Sequence, residues 1–245
     1  MDDKRIRELR RTAQQIRLTG LDMVRQVRSG HIGGAFSMAE LMAVLYFEKM
    51  NIDPKNPRWE DRDRFVLSKG HATVALYATL ALRGFFPVED LSCFRKIDGY
   101  LSGHSEMNKV PGVDMSTGSL GQGFSAALGM AVAAKQLGKG YTVYAVLGDG
   151  EIQEGQIWEA CMYAGAHGVD NLVAILDSNK VQLDGTVAAI LDTGDLAAKF
   201  SSFGFEVLRC DGHDVAGVPG ANRRAKAGAA KAAMINTDHG GRKGR

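Results

Sequence analysis

The stretch VLGDG at residues 146–150 decides the fold, together with ILDSN at residues 175–179. Each of them ends a nearly continuous apolar run, a pattern typical of strands that are buried on both faces of a parallel sheet. The 28 residues between the second glycine of the first stretch and Asn179 suffice for one crossover helix, predicted over 151–166, and a returning strand. A right-handed connection brings Asp149 and Asn179 to one sheet edge, where open α/β sheets bind ligands.

Helical and strand patterns alternate along the rest of the chain, which predicts an α/β fold with a doubly wound, mostly parallel sheet and helices on both faces. Apolar residues at helical spacing predict a helix over 4–28. A capping box at 37–40 predicts a second helix that ends near Lys49. Further helices are predicted at 71–83 and 125–137, and further strands at 64–67 and 205–208.

The composition is that of an ordinary globular protein, with 45% hydrophobic and 24% charged residues among 245. The longest apolar stretch, 126–134, is too short to span a bilayer, which needs about 20 residues, so no membrane association is expected. Cysteines are few and odd in number, at positions 93, 161 and 210, which favours a reducing compartment and a cytoplasmic location.

The net charge of +2 is unevenly distributed along the chain. Residues 223–245 hold seven Lys or Arg and one acid, Asp238, so they carry +6, and residues 1–222 carry +2 minus +6, or −4. The mildly acidic body argues against nucleic-acid binding. We therefore expect a domain over 1–214 and a divergent basic tail over 215–245. The tail is either the product of a truncation or a frame shift, or a genuine solvated segment.

Asp149 and Asn179 offer one carboxylate and one amide oxygen, ligands that suit Mg²⁺ or Ca²⁺ rather than zinc. Mg²⁺ usually completes its six ligands with phosphate and water oxygens. The glycines beside Asp149 let the backbone approach a phosphate, and a helix that begins near Glu151 offers N–H groups to it. Gly-Asp-Gly alone is more often a turn, but with an asparagine at this spacing it indicates a diphosphate held through a metal.

Gly148-Asp149-Gly150, a spacer and Asn179 together resemble the thiamine-diphosphate motif, and the flanking sequence GDGEIQEGQIWEACMYAG resembles its transketolase version. Three further segments are similar to that family in the same order, and they contain His31, His71 and His104. The resemblance covers about 10–214, the thiamine-diphosphate-binding part, and is strongest to the N-terminal subunit of split transketolases.

The resemblance assigns a role to each matching residue. It implies that Mg²⁺ is held by the side chains of Asp149 and Asn179 and the carbonyl of Val181. It implies catalytic roles for three histidines, of which His71 also approaches the cofactor diphosphate: His31, His71 and His104. It implies cofactor contacts for Gly118 and Leu120 near the two rings, Gly150 at the diphosphate, and Glu154 in a carboxylate network between subunits.

The resemblance also implies an activity, the transfer of a two-carbon ketol unit from a ketose phosphate to an aldose phosphate, as in the pentose phosphate pathway. The family's activating glutamate lies in a pyrimidine-binding domain that this sequence does not contain. We therefore expect a C-terminal partner chain, assembly as a dimer or heterotetramer, and no activity without that partner. The alternatives are a ketol transferase for an unusual sugar such as a sulfosugar, and an inactive cofactor-binding remnant. A Rossmann nucleotide-binding protein is disfavoured, since no Gly-x-Gly-x-x-Gly follows a first strand.

The sequence departs from the family at two places. His31 is followed by Ile32, where the family usually has proline. The segment after Val215 is rich in Ala, Gly and Arg, and Met234-Ile235 is its only strong apolar pair. His239-Gly240 superficially resembles a His-Gly element of the family and is given no role.

Overall fold

The protein was analysed as a computed structural model that describes residues 1–183, 185–218 and 231–239. Expectations about 219–230 and 240–245, which include most of the basic tail, lie outside the described residues. No helix in these ranges is long and apolar enough to cross a membrane.

A five-stranded sheet organises the fold. Its strands are β1 (Arg64–Leu67), β2 (Val143–Gly148), β3 (Leu172–Ser178), β6 (Glu206–Asp211) and β7 (Ala233–Asp238), and a separate hairpin pairs β4 (Val181–Gln182) with β5 (Gly185–Thr186). The sheet has the order β1-β2-β3-β7-β6, with every neighbouring pair parallel. The α/β class predicted from the alternating patterns is confirmed.

Helices cover the sheet; three of the α-helices precede β1, and the other described α-helices lie between strands. The α-helices are α1 (Asp3–Val27), α2 (Gly33–Phe36), α3 (Ala39–Val44), α4 (Thr73–Arg83), α5 (Gln122–Gln136), α6 (Gly155–Ala166), α7 (Val187–Leu191) and α8 (Leu196–Ser202). A π-helical turn at Leu45–Lys49 extends α3, and 3-10 turns occupy Gly70–Ala72, Val88–Cys93 and Glu151–Gln153.

Side chains alternate across the sheet and divide the buried interior into two cores. Tyr144 and Val146 of β2 pack into the core shared with α1, α3 and α4, whereas Val143, Ala145 and Leu147 pack into the core shared with α5, α6 and α8. The same alternation holds in β3, because successive residues of a strand point to opposite faces. Apolar residues therefore fill both faces of the central strands, as their continuous hydrophobic runs predict.

Two local predictions are wrong. Ser37 does not cap a helix: α3 begins at Ala39 without a side-chain cap, and the Ser37 hydroxyl donates instead to Asp177. Glu40, the other half of the expected capping box, is bound by Arg17. The helix expected from Glu151 is interrupted, since a 3-10 turn ends at Gln153 and α6 starts only at Gly155.

The segment after 215 contains a strand that the sequence pattern does not predict. β7 lies between β3 and β6, and Met234 and Ile235 are buried in opposite cores. Residues 233–238 are therefore part of the same sheet as the residues before 215. Whether the rest of the segment is native or truncated stays a prediction.

Candidate functional site

The carboxyl ends of four parallel strands meet at one edge of the sheet. The register pairs Leu67 with Val146, Leu147 with Leu176, and Leu176 with Asn236. The residues just beyond β1, β2, β3 and β7 are consequently neighbours. They include the stretch 69–71, Asp149, Asn179 and His239.

Asp149 is a buried carboxylate, 4% exposed, at the end of β2. Its Oδ1 accepts from the N–H of Gly150 at 3.0 Å, and its Oδ2 accepts from the N–H of Lys180, the residue after Asn179. Burial and the nearby negative charge of Asp177 raise the pKa of Asp149 to about 6. Among the described residues no cation forms an ion pair with it. The site therefore holds a carboxylate that a bound cation would stabilise.

Asn179 and Val181 lie in the turn that follows β3. The Asn179 Oδ1 accepts from the N–H of Val181 at 3.0 Å, and Val181 begins the β4–β5 hairpin opposite Thr186. Asn179 is partly exposed and Val181 is exposed. The bond between Asp149 and Lys180 places this turn against the end of β2.

The three predicted histidines lie together. The rings of His31 and His71 are 5.7 Å apart between centroids, in an edge-to-face arrangement. Burial, the Lys69 ammonium and the charges of His31 and His104 lower the pKa of His71 to about 4. His71 is therefore a neutral ring at neutral pH, able to donate from one nitrogen and accept at the other. Burial and the charges of Arg95 and His31 lower the pKa of His104 as well.

The loop at 117–121 closes over the end of β1 by a close backbone approach. A Cβ on Gly70 would lie 2.6 Å from the nitrogen of Gly118. Gly118 has a φ of +153°, and a Cβ there would lie 3.1 Å from the ring of His104. Leu120, partly exposed, completes this loop before α5 begins. Only glycine at 70 and 118 permits this packing without displacement of the backbone.

Glu154 stands at the rim, because it is exposed just before α6. A Cβ on Gly121 would lie 3.1 Å from the Cβ of Glu154, so the glutamate adjoins the 117–121 loop.

Glu151 is a buried acid that the sequence pattern does not single out. It is 1% exposed and accepts from the Ser68 hydroxyl at 2.6 Å and from the N–H groups of Gly121 and Gly148 at 2.7 and 3.1 Å. Burial raises its pKa above the usual range. Glu151 thus ties the ends of β1 and β2 to the 117–121 loop. Its position right after Gly150 is the only sequence signal.

Lys69 and Asp177 form a second feature that sequence reasoning does not find. Both are 1% exposed, and the Lys69 ammonium bonds the Asp177 carboxylate and donates to the carbonyl of Gly34 at 2.8 Å. His239, to which the sequence assigns no role, lies with its Nε2 2.5 Å from the Asp177 Oδ1. Burial alone would raise the pKa of Asp177, but Lys69 and His239 outweigh it and hold the pKa below the usual range.

The polar chain continues from His239 away from the sheet edge. The His239 Nδ1 is 3.2 Å from the His213 Nε2, and the His213 Nδ1 is 3.3 Å from the Glu40 carboxylate. Arg17 binds Glu40 with both terminal nitrogens. A surface cavity of about 600 Å³, lined by Arg17, Glu40 and His213 among others, lies at this end.

The donors at this edge suit a divalent cation only in part. No group of three or more His, Cys, Asp or Glu suited to a metal is present in residues 1–183, 185–218 and 231–239. A cation here would depend on one carboxylate with amide and carbonyl oxygens. Asp149 fits that role, because it is buried with no cation paired to it in the described chain, and each of its oxygens retains a lone pair beyond the backbone bond. The oxygen-only donors fit a hard ion such as Mg²⁺.

Comparison with known proteins agrees with this geometry. The family model for "Transketolase, thiamine diphosphate binding domain" matches residues 9–239. The chain is 46% identical to the 6-deoxy-6-sulfo-D-fructose transketolase subunit of Clostridium sp. over 228 residues, 93% of this chain and 83% of that protein. It is 40% identical to an apulose-4-phosphate transketolase subunit of Phocaeicola vulgatus over 195 residues, 80% of this chain and 69% of that protein.

A solved structure supports the same conclusion. The transketolase of Campylobacter jejuni superposes with a TM-score of 0.90 at 36% identity and covers 97% of this chain. This chain covers 38% of that one, so it spans little more than a third of the solved transketolase. The match to the family model includes β7 and has His239 as its last residue. The chain belongs to the transketolase family and forms its thiamine-diphosphate-binding domain.

Proposed function

We propose that this chain is the cofactor-binding subunit of a two-chain transketolase that moves a two-carbon ketol unit from a ketose phosphate to an aldose phosphate. The observation that carries the proposal is the meeting of Asp149, Gly150 and the three histidines at one sheet edge. This chain covers 83% and 69% of the two subunit relatives described above, which supports a divided enzyme.

In this proposal Asp149, Asn179 and the Val181 carbonyl hold Mg²⁺ or Ca²⁺, and the Gly150 N–H binds the diphosphate. When bound, thiamine diphosphate would supply a thiazolium ring able to take up the electron pair left when the ketol carbon–carbon bond breaks. Gly118 and Leu120 contact the cofactor rings.

The histidines position the sugar by hydrogen bonding. His71, neutral at pH 7, donates to or accepts from an oxygen near the diphosphate. His31 and His104 are exposed around it and bind substrate oxygens. These contacts supply orientation and electrostatic stabilisation rather than covalent catalysis by the protein.

The partner chain supplies the pyrimidine-binding domain and meets this chain near Glu154, whose exposure at the rim leaves it free for a contact between subunits. A dimer or heterotetramer of the two subunits, a cytoplasmic location and a place in pentose phosphate metabolism complete the proposal. The free thiols of Cys93, Cys161 and Cys210 support a reducing compartment.

A second candidate is ketol transfer on an unusual sugar. The relative from Clostridium sp. is named for a sulfonated fructose, and it is 46% identical to this chain. The metal and diphosphate residues would serve both reactions equally.

The test is reconstitution. The chain is purified alone, with a second subunit that carries a pyrimidine-binding domain, and as that pair with His71→Ala. We expect thiamine-diphosphate-dependent ketol transfer only from the wild-type pair. Assays with a ketose phosphate and with 6-deoxy-6-sulfo-D-fructose separate the two candidates. Full activity of the single chain would refute the need for a partner, and no activity of any pair would favour an inactive cofactor-binding remnant.

A further inference from the structure

A second cavity, of about 560 Å³, lies at the amino end of β1, the opposite end of that strand from His71. This volume is within the range of small-molecule sites, roughly 300–1,000 Å³. Its lining includes four cations, Arg58, Arg62, Arg64 and Lys109, and one carboxylate, Asp114. The cavity therefore has an excess of positive charge, although residues 1–222 as a whole are acidic.

The one carboxylate is already used by the fold. Asp114 is 7% exposed; its Oδ1 pairs with Arg62, and its Oδ2 accepts from the N–H of Phe65 at 2.8 Å. Among the described residues its ion pair is with Arg62 alone. Lys109 has an exposed partner of its own, Glu106, at 2.9 Å.

Arg64 forms no ion pair with a described carboxylate, although Asp114 and Asp63 lie near enough to act on its charge. Its two terminal nitrogens donate to the main-chain carbonyls of Arg62 and Glu60, and its guanidinium stacks 4.6 Å from the centre of the Tyr141 ring. Burial and the neighbouring Arg62 lower the pKa of Arg64. Asp114, Tyr141 and Asp63 act in the opposite direction but do not outweigh burial and Arg62, so a bound anion would stabilise this half-buried guanidinium.

Donors for such an anion remain. A guanidinium has five N–H groups, and the described bonds use three of those on Arg62 and two of those on Arg64. Arg62 is itself 9% exposed and held rigidly by its bonds, so its direction is fixed by the fold. Apart from Asn108, the rest of the wall is mostly apolar, with Val110, Pro111 and Val113 among its residues.

We infer that this cavity binds a small organic molecule through a phosphate group. Guanidinium forks match the oxygens of phosphate and of carboxylate, and the two lining cations without an ion pair among the described residues, Arg58 and Arg64, favour the more highly charged phosphate. The apolar wall contacts the carbon portion of the ligand. The site does not depend on the proposed activity, since none of its residues belongs to the carboxyl edge.

The test follows the Arg64 Nε–H resonance of the full chain during a titration with inorganic phosphate at low ionic strength. We expect a saturable shift. The double variant Arg58→Gln/Lys109→Gln, at two exposed positions, should lower the affinity for phosphate by about tenfold, because two partly screened charges are removed. The matched pair Lys4→Gln/Arg7→Gln, on the exposed side of α1, should leave it unchanged.

A titration with succinate distinguishes phosphate from carboxylate as the recognised group. Weaker binding of succinate supports phosphate, and tighter binding overturns that assignment. An Arg64 resonance that phosphate does not move, or equal affinity in both double variants, overturns the site. Phosphate that binds only at the carboxyl edge would shift His71 without Arg64, so the two locations are separable.

Discussion

The carboxyl edge of the sheet has two halves with opposite electrostatic character. In the open half, around Asp149, that carboxylate is buried without a paired cation among the described residues and its pKa rises to about 6. In the closed half, around Asp177, that carboxylate is bound by Lys69 and His239 and its pKa is depressed. Two buried carboxylates thus differ chiefly in their partners.

This difference separates a residue that supports the fold from one that is available for a ligand. Asp177 already has its counter-ions, so it contributes to packing and rigidity. Asp149 accepts hydrogen bonds only from backbone N–H groups among the described residues, so a divalent ion would supply its missing counter-charge. Gly70 and Gly118 let the 117–121 loop and His104 pack closely against the end of β1 beside Asp149.

The largest effect is expected in the closed half. Asp177→Asn leaves the buried Lys69 ammonium without a counter-ion and should lower the free energy of unfolding by about 3–5 kcal/mol in urea denaturation. The double variant Lys69→Met/Asp177→Asn removes the stranded charge and should be less destabilised. If the double variant has the lower free energy of unfolding of the two, the ion pair is not what stabilises this half.

Gly70→Ala tests the close approach in the open half. Its Cβ would meet the backbone of Gly118 at 2.6 Å, and backbone can yield only by a shift of the whole loop. We expect a loss of about 1–3 kcal/mol in the free energy of unfolding. Gly155→Ala is the matched control, since nothing lies within 4 Å of a Cβ there. Equal stability of both variants would contradict the close contact.

The smallest effect is a pH dependence due to His71. Its pKa falls from 6.5 to about 4 on folding, so the unfolded chain binds more protons between these values. Stability from this ring is therefore present above pH 6.5 and is lost as the pH falls towards 4. The ring is partly exposed, so we expect about 1 kcal/mol. Thermal unfolding of the chain and of His71→Gln should show that stability depends less on pH in the variant. Identical pH dependence would mean that the His71 ring is solvated and its pKa is not lowered by folding.

The central strands are predictable from the sequence because their burial is local information. β2 and β3 are continuous apolar runs covered on both faces, and the residues after them fall at one edge by the handedness of the connection. β7 is not predictable in this way, since its sequence, AMINTD, is half polar. It is a strand because β3 and β6 pair with it on either side. That pairing is not encoded in the local sequence pattern.

The candidate site shows the same limit. Asp149 and the histidines stand beside glycines in recognisable segments. The Lys69–Asp177 pair joins residues 108 positions apart, and His239 joins Asp177 across 62. These contacts exist only after the strands have assembled, so the closed half of the edge has no sequence signature.

The most direct test of the open half is calorimetric binding of thiamine diphosphate to the full chain, with Mg²⁺ and with a chelator in its place. We predict that binding requires the metal and that Asp149→Ala abolishes it, whereas Asp22→Ala, exposed on α1, binds like the wild type. Binding that survives the chelator, or that is unchanged in Asp149→Ala, would contradict a metal-held diphosphate at this edge.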